Sequence, residues 1–234
     1  MTDYEERKHV AERDQFHEGF SELMRMDIPR EDLVHMFPIF AGDQNLARFL
    51  MLYELFKMTR GVLGHVAEIG VWKGASFLFF AKLIRIFEPK GITQVHGFEW
   101  FRGMAMTSAL DDGRYEGLHK ADRELLLKEI SVQDLGGIAF VHDLDVSREL
   151  PGFFEENPSL MFRLVFVDCG SYEVLKACIP EFWRRLTKGG IMVFDHANFC
   201  SVKAETVAVR EFLGDDAEMK AFDYCRWPSG YIVK

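Results

Sequence analysis

From residue 65 onward the chain alternates short apolar, β-branched runs with stretches of helical periodicity, and this alternation narrows the possible folds more than any other feature. The runs are HVAEIGV (65–71), QVHGFEW (94–100), IAFVHDL (138–144), LVFVDC (164–169) and GIMVFDH (190–196). Helical stretches lie near 75–88, 120–134, 147–156 and 172–186, and one more follows near 202–213. Strands alternating with helices form right-handed βαβ units and a mainly parallel sheet. The pattern then changes. MKAFDYC (219–225) and GYIVK (230–234) are separated only by RWPS, too short for a crossover, which predicts an antiparallel pair.

The first 64 residues read as helices. Phe16, Phe20, Leu23 and Met24 form a stripe within a helix at 4–26, and DIPRED then breaks the chain, with Pro29 able to open a short helix. A helix at 43–59 places Leu46, Phe49, Leu50, Tyr53 and Phe56 on one face. The expected division is an N-terminal helical cap at 1–64 and an α/β core at 65–234.

Composition removes several classes of function. A net charge of −9, with no long Lys/Arg run, argues against a nucleic-acid partner. No apolar stretch is long enough for a membrane span, and the charged opening MTDYEERKHVAERDQ is unlike a leader peptide, so a cytoplasmic protein is expected. The four cysteines (169, 178, 200, 225) show no C-x-x-C pairing and read as reduced thiols. The 22 phenylalanines predict a large aromatic core.

In open α/β sheets, ligands bind beyond the carboxyl ends of the strands at the switch point, which is where EIGVWKGAS (68–76) falls. Gly70 and Gly74 permit a tight turn, and the following helix offers free N–H groups. A plain turn glycine is the competing reading for Gly70. The spacing is G-x-x-x-G, neither the dinucleotide fingerprint nor a P-loop. Glu99 ends the second strand, where an acid meets the ribose of an adenosine ligand, and Trp100 and Phe101 could face the adenine. After the third strand, Asp143 is placed to meet the adenine amino group and Leu144 to pack on the ring. A helix cap is the competing reading for Asp143.

At these residues the sequence resembles the macrocin O-methyltransferase family of class I S-adenosylmethionine-dependent methyltransferases. The resemblance rests on EIGVWKGAS, on the acid-x-Phe-x-Gly-Met of 99–104, and on VDCGSYEVLKACIPEFWRRLTKGGIMVFDHAN (167–198). It implies a Rossmann-like fold of five parallel strands closed by an antiparallel hairpin. It implies cofactor contacts at Glu68, Gly70, Gly74, Ser76, Glu99 and Phe101, with Asp168 also at the cofactor. It also implies methylation of a sugar or glycosylated natural product, and a homo-oligomer. Family members often bind magnesium through an Asp-x-Asp-x-Tyr-Glu segment and an Asp-Asp pair. This chain keeps Asp168 and Asp195 but has Gly170 and His196 at the second acid of each.

Methyl transfer to an alcohol needs a base or a metal at the methyl end of the cofactor. That end lies beyond strands four and five, where Asp168, Asp195 and His196 converge. His196 could be the general base, or the three could hold a divalent cation. A loop-capping role for His196 is the competing reading. Tyr172 either lines the acceptor pocket or starts its helix, and His142 is read as packing. Arg48 reads as a surface ion pair, with reach from the cap to the cofactor carboxylate as the competing reading; Pro180 reads as a helix bend, and Gly189 with Gly190 as a helix stop. A non-sugar methyltransferase, a non-catalytic binding protein of this fold and a nicotinamide oxidoreductase are the competing functions. The long loop 102–120 has the length of a lid.

Overall fold

The computed structural model describes residues 17–234. The helix expected at 4–26 is present over 17–23 (α1), and its remainder up to residue 16 lies outside the described residues. Phe20 and Met24 of its stripe are exposed. Two short helices follow, α2 (Arg30–His35), with Pro29 at its N-cap, and α3 (Phe37–Phe40).

Six strands form one sheet in the order β3-β2-β1-β4-β5-β6. They are β1 (His65–Ile69), β2 (Val95–Glu99), β3 (Ala139–Asp143), β4 (Phe162–Val167), β5 (Leu186–Phe194) and β6 (Gly230–Val233). The first five run parallel and β6 runs antiparallel to β5. The antiparallel ending is therefore present, but its partner differs from the one the sequence suggests. Residues 219–225 contribute only a single bridge, Lys220 to Tyr231, and β6 pairs along its length with β5.

Both faces of the sheet are covered, which is why the strands read as continuous apolar runs. On one face lie α4 (Asp43–Thr59), α5 (Ala75–Phe87) and α6 (Arg123–Val132). On the other lie α7 (Val146–Glu156), α8 (Tyr172–Arg185) and α9 (Lys203–Leu213). Strand alternation divides the side chains between the two cores: Leu164, Phe166, Ile191 and Val193 enter the first, and Val165, Val167, Met192 and Phe194 the second. Phe77, Phe80, Phe98, Phe154, Phe162, Phe166, Phe182 and Phe194 are fully buried, so the aromatic core is present.

Two local expectations need correction. The buried face of α4 is Met51, Leu52, Leu55 and Phe56, and Leu50 points outward. Phe49, Tyr53 and Phe56 of the expected face do pack against the first core. Gly189 and Gly190 do not stop a helix, because α8 passes directly into β5 at Leu186 and both glycines lie inside the strand. Pro180 does fall inside α8, as does Pro151 inside α7. None of the four cysteines forms a disulfide. Among the described residues no helix is long and apolar enough to cross a membrane.

His96 (β2) and His142 (β3) stack in the sheet with ring centroids 5.3 Å apart, and their Nδ1 and Nε2 atoms lie 3.0 Å apart. Burial, together with His142 and His65, lowers His96 to about 3, and burial lowers His142 to about 4. An unfolded histidine titrates near about 6.5, so below that pH the unfolded chain binds protons that the folded chain refuses. The stabilisation is complete above that value and declines as pH falls towards the folded pKa. His96→Gln should therefore gain about 2 kcal/mol relative to wild type between pH 7 and pH 5. Urea denaturation at the two pH values measures this, and parallel pH dependences would refute it.

Candidate active site

The order of the sheet reverses at β1, between β2 and β4, and a cavity of about 820 Å³ opens there at the carboxyl edge. Its size suits a small organic ligand together with part of a second one. Glu68, Gly70, Ser76, Glu99, Trp100, Leu144, Asp168, Asp195 and His196 all line it. Gly74, Phe101, Asp143 and Tyr172 do not.

Gly70 follows β1 with φ +87, and a Cβ there would stand 2.0 Å from the Asp168 carbonyl oxygen. The turn can form only if this residue has no side chain. Gly74, also left-handed, caps α5 and packs towards Leu126 rather than the cavity. Within β1, Glu68 is fully buried; the Ser76 hydroxyl donates to its Oε1 at 2.7 Å, and its Oε2 has no partner. Burial holds its pKa well above the usual carboxylate range, against the pull of Ser76. A buried carboxylate with one oxygen left over suits a ligand that brings a cationic N–H donor.

Glu99 fastens two turns together. Its Oε2 accepts from the Trp72 N–H at 2.9 Å, and its Oε1 accepts from the N–H groups of Trp100 and Phe101 at 2.9 and 3.0 Å. Trp72 and Phe101 both have positive φ (48° and 62°), strained conformations that this carboxylate helps to hold. The backbone at Phe101 sends its ring into the first core, so Trp100 alone of that pair lines the cavity. Asp143 ends β3 with Oδ2 3.6 Å from the Arg123 Nε. The cavity wall is instead the next turn, from Leu144 to Arg148, where Asp145 caps α7 by accepting from the Ser147 N–H at 3.0 Å. The Tyr172 hydroxyl donates to Glu211 on α9, which points the ring away from the cavity.

Asp168 and Asp195 follow β4 and β5. Arg48, from α4, joins them: its Nη2 donates to Asp168 Oδ2 at 2.8 Å and its Nη1 to Asp195 Oδ1 at 2.5 Å. The guanidinium carbon lies 5.3 Å from the centre of the Phe166 ring. Arg48 is therefore a largely buried bridge at the cavity and not a surface pair. Burial opposes its charge, but Asp195 and Asp168 outweigh that and raise its pKa. Burial and the neighbouring Asp195 push the Asp168 carboxyl up, against Arg48.

His196 Nε2 lies 3.3 Å from Asp195 Oδ2, and its backbone N–H donates to Glu205 Oε2 at 2.9 Å. Burial lowers the imidazole pKa, partly offset by Asp195 and reinforced by Arg48, so the ring is neutral at neutral pH. Glu205 is fully buried on α9, with its Oε1 unpartnered and its pKa well above the usual range because of burial. Asp168, Asp195 and His196 each offer one ligand atom, all within 4.8 Å of one another. However, one oxygen of each carboxylate is already taken by Arg48.

Sequence reasoning missed the bridge that Arg48 makes between Asp168 and Asp195, Glu205, and the loop residues Met104, Tyr115 and His119 that line the cavity. For Glu205 a signal existed: it is an acid on the buried face of α9, beside Ala204 and one turn from Ala208 and Val209. Arg48 gave a similar one, a lone cation within the apolar run NLARFLMLYELF.

Residues 67–197, more than half of the chain, match a family model described as a methyltransferase domain. A comparison with curated proteins finds no match. Among solved structures, that of CalS11, calicheamicin methyltransferase, superposes with a TM-score of 0.84 at 24% identity, covering 95% of this chain and 92% of that one. The apo structure of CalS11, described as a TDP-rhamnose 3'-O-methyltransferase of calicheamicin biosynthesis, gives 0.76 at 26% identity over 95% and 94%. The O-methyltransferase NovP gives 0.63 at 18% identity over 81% and 80%.

The Gly70 turn has a direct test. Gly70→Ala should cost at least about 2 kcal/mol, because it adds left-handed strain to a clash with backbone. Gly136→Ala, with nothing within 4 Å of the new methyl group, should stay within about 0.5 kcal/mol of wild type. Chemical denaturation compares the two, and equal small effects would show that the turn is not constrained.

Proposed function

The chain belongs to the family of this methyltransferase domain and is an S-adenosylmethionine-dependent methyltransferase; from that premise we propose that it methylates a hydroxyl group of a sugar or of a glycosylated small molecule. Support for the acceptor class comes from CalS11, whose described substrate is a nucleotide-linked sugar and which this chain resembles over nearly its whole length. The observation that carries the reading is His196, a neutral imidazole on the cavity wall beside Asp195.

S-adenosylmethionine supplies an electrophilic methyl group on a sulfonium. In this reading Glu68 receives the cationic amino group on its free oxygen, and Ser76 fixes the carboxyl from the other side. Glu99 meets the ribose while it holds the two turns, and Trp100 and Leu144 enclose the adenine. His196 takes the acceptor proton, and Asp195, 3.3 Å away, stabilises the imidazolium that results. Glu205 holds the His196 backbone and so positions the ring; it is a positioning residue. The cavity loop at 103–119 contributes Met104, Thr107, Tyr115 and His119 to the acceptor side.

Calorimetric titration tests the cofactor site: Glu99→Ala should weaken S-adenosylmethionine binding at least about tenfold, the loss expected for a hydrogen-bonded ribose. Unchanged affinity would remove Glu99 from the site. For the base, His196→Gln should lower kcat by about 10²- to 10⁴-fold with little change in cofactor binding. The acid limb of the wild-type profile should fall below the ordinary histidine value, because a lowered pKa keeps the base form to lower pH. A full rate in the variant, or an unchanged acid limb, would refute the assignment.

A further inference from the structure

Arg48 stands where a carboxylate-bound metal ion would stand. Asp168 and Asp195 leave the ends of adjacent strands, and their facing oxygens are the natural seat for a cation at the methyl end of the cavity. That seat is spanned by one guanidinium, with separate nitrogens on separate carboxylates and the Phe166 ring against its carbon. A guanidinium is planar, permanently charged, and weakly hydrated, so it tolerates this buried position better than a lysine would.

We propose, resting on the methyltransferase reading, that Arg48 is the resident cation of the Asp168–Asp195 pair, so that the enzyme binds no divalent ion there and transfers methyl groups without one. Three observations point the same way. Arg48 already places one positive charge within hydrogen-bond distance of both carboxylates. A divalent ion bound to the same carboxylates would be repelled by that guanidinium at close range in a partly dehydrated site. The third candidate ligand is a nitrogen rather than an oxygen, the His196 Nε2, 3.3 Å from Asp195 Oδ2. Finally, Gly170 lines the cavity where an acid could have added a further oxygen. The donor set is therefore two carboxylates, each with one oxygen bonded to Arg48, and an imidazole, which is poorer in free oxygens than the carboxylate-and-water shell that magnesium takes.

Arg48 acts through the two carboxylates and is a positioning residue. It comes from α4, so this helix closes the site against β4 and β5 and fixes the distance between Asp168 and Asp195. Asp195 is thereby held with its second oxygen towards His196, the geometry the base needs.

Binding of Mn²⁺ alone, followed by electron paramagnetic resonance, tests this without any acceptor. Wild-type protein should leave the Mn²⁺ signal that of the free ion, and stripping divalent ions with a chelator should change the methyl-transfer rate by less than about twofold. Arg48→Met should free the carboxylates and gain a Mn²⁺ site, which Asp195→Asn in the same background abolishes; Arg48→Lys should restore the metal-free state. The proposal is overturned if wild-type protein binds one Mn²⁺ and loses it on Asp195→Asn, whether or not Arg48→Met folds. It is equally overturned if chelation lowers the rate at least about tenfold and Mg²⁺ restores it. Failure of the methyltransferase reading would appear separately, as absent S-adenosylmethionine binding in calorimetry.

Discussion

A sheet covered on both faces has only one place to put polar chemistry, the edge where its parallel strands end. Here β1, β2, β4 and β5 each contribute an acid at or just before that edge: Glu68, Glu99, Asp168 and Asp195. Four carboxylates gathered in a partly dehydrated cleft repel one another, so each must be satisfied or protonated. The local structure follows from how that is achieved. Glu99 gathers three backbone N–H groups, Asp168 and Asp195 share Arg48, and Glu68 accepts from the Ser76 hydroxyl while burial holds its pKa well above the usual range. Removing Arg48 from such an arrangement would leave buried charge unpaired, at a cost of about 3–5 kcal/mol.

The same logic explains the strain at the cavity. Trp72 and Phe101 adopt backbone conformations that bulky side chains avoid, and both donate their N–H groups to Glu99. The carboxylate offsets local strain with charge-assisted hydrogen bonds, and in return the two turns are held at a fixed separation across the mouth of the site. A rigid frame of this kind suits a reaction in which alignment of two reactants accounts for much of the rate.

The architecture was legible because burial of a parallel sheet imposes its pattern directly on the sequence. Five apolar runs, the helices between them and the Gly70 turn were readable from local rules alone. What was not legible depends on contacts between residues far apart. Arg48 and Asp168 are 120 residues apart, and no local pattern says that a cation on a mostly apolar helix will meet two strand ends. Direction was the second obstacle. Phe101 and Tyr172 are correctly placed along the chain, yet a positive φ turns one into the core and a hydrogen bond to Glu211 draws the other towards α9. The terminal strand pair shows a third limit: the short RWPS connection suggested that 219–225 would be the neighbour of β6, while the open edge of β5 offered a longer ladder.

The nature of the cation bears on the chemistry. A divalent ion acts as a Lewis acid on a bound hydroxyl and lowers its pKa, so that a weak base or none suffices. A guanidinium donates hydrogen bonds and neutralises charge, but it does not withdraw electron density from oxygen in the same way. If Arg48 holds the carboxylate pair, the acceptor proton must go to a side chain, and His196 is the neutral imidazole on that wall. Its lowered pKa then carries two consequences at once. The ring is free to accept a proton at neutral pH, and the proton it accepts is held only because Asp195 stands 3.3 Å away. Arg48 bonds the other oxygen of Asp195, so on the reading proposed above the residue in place of a metal would also set the geometry of the base.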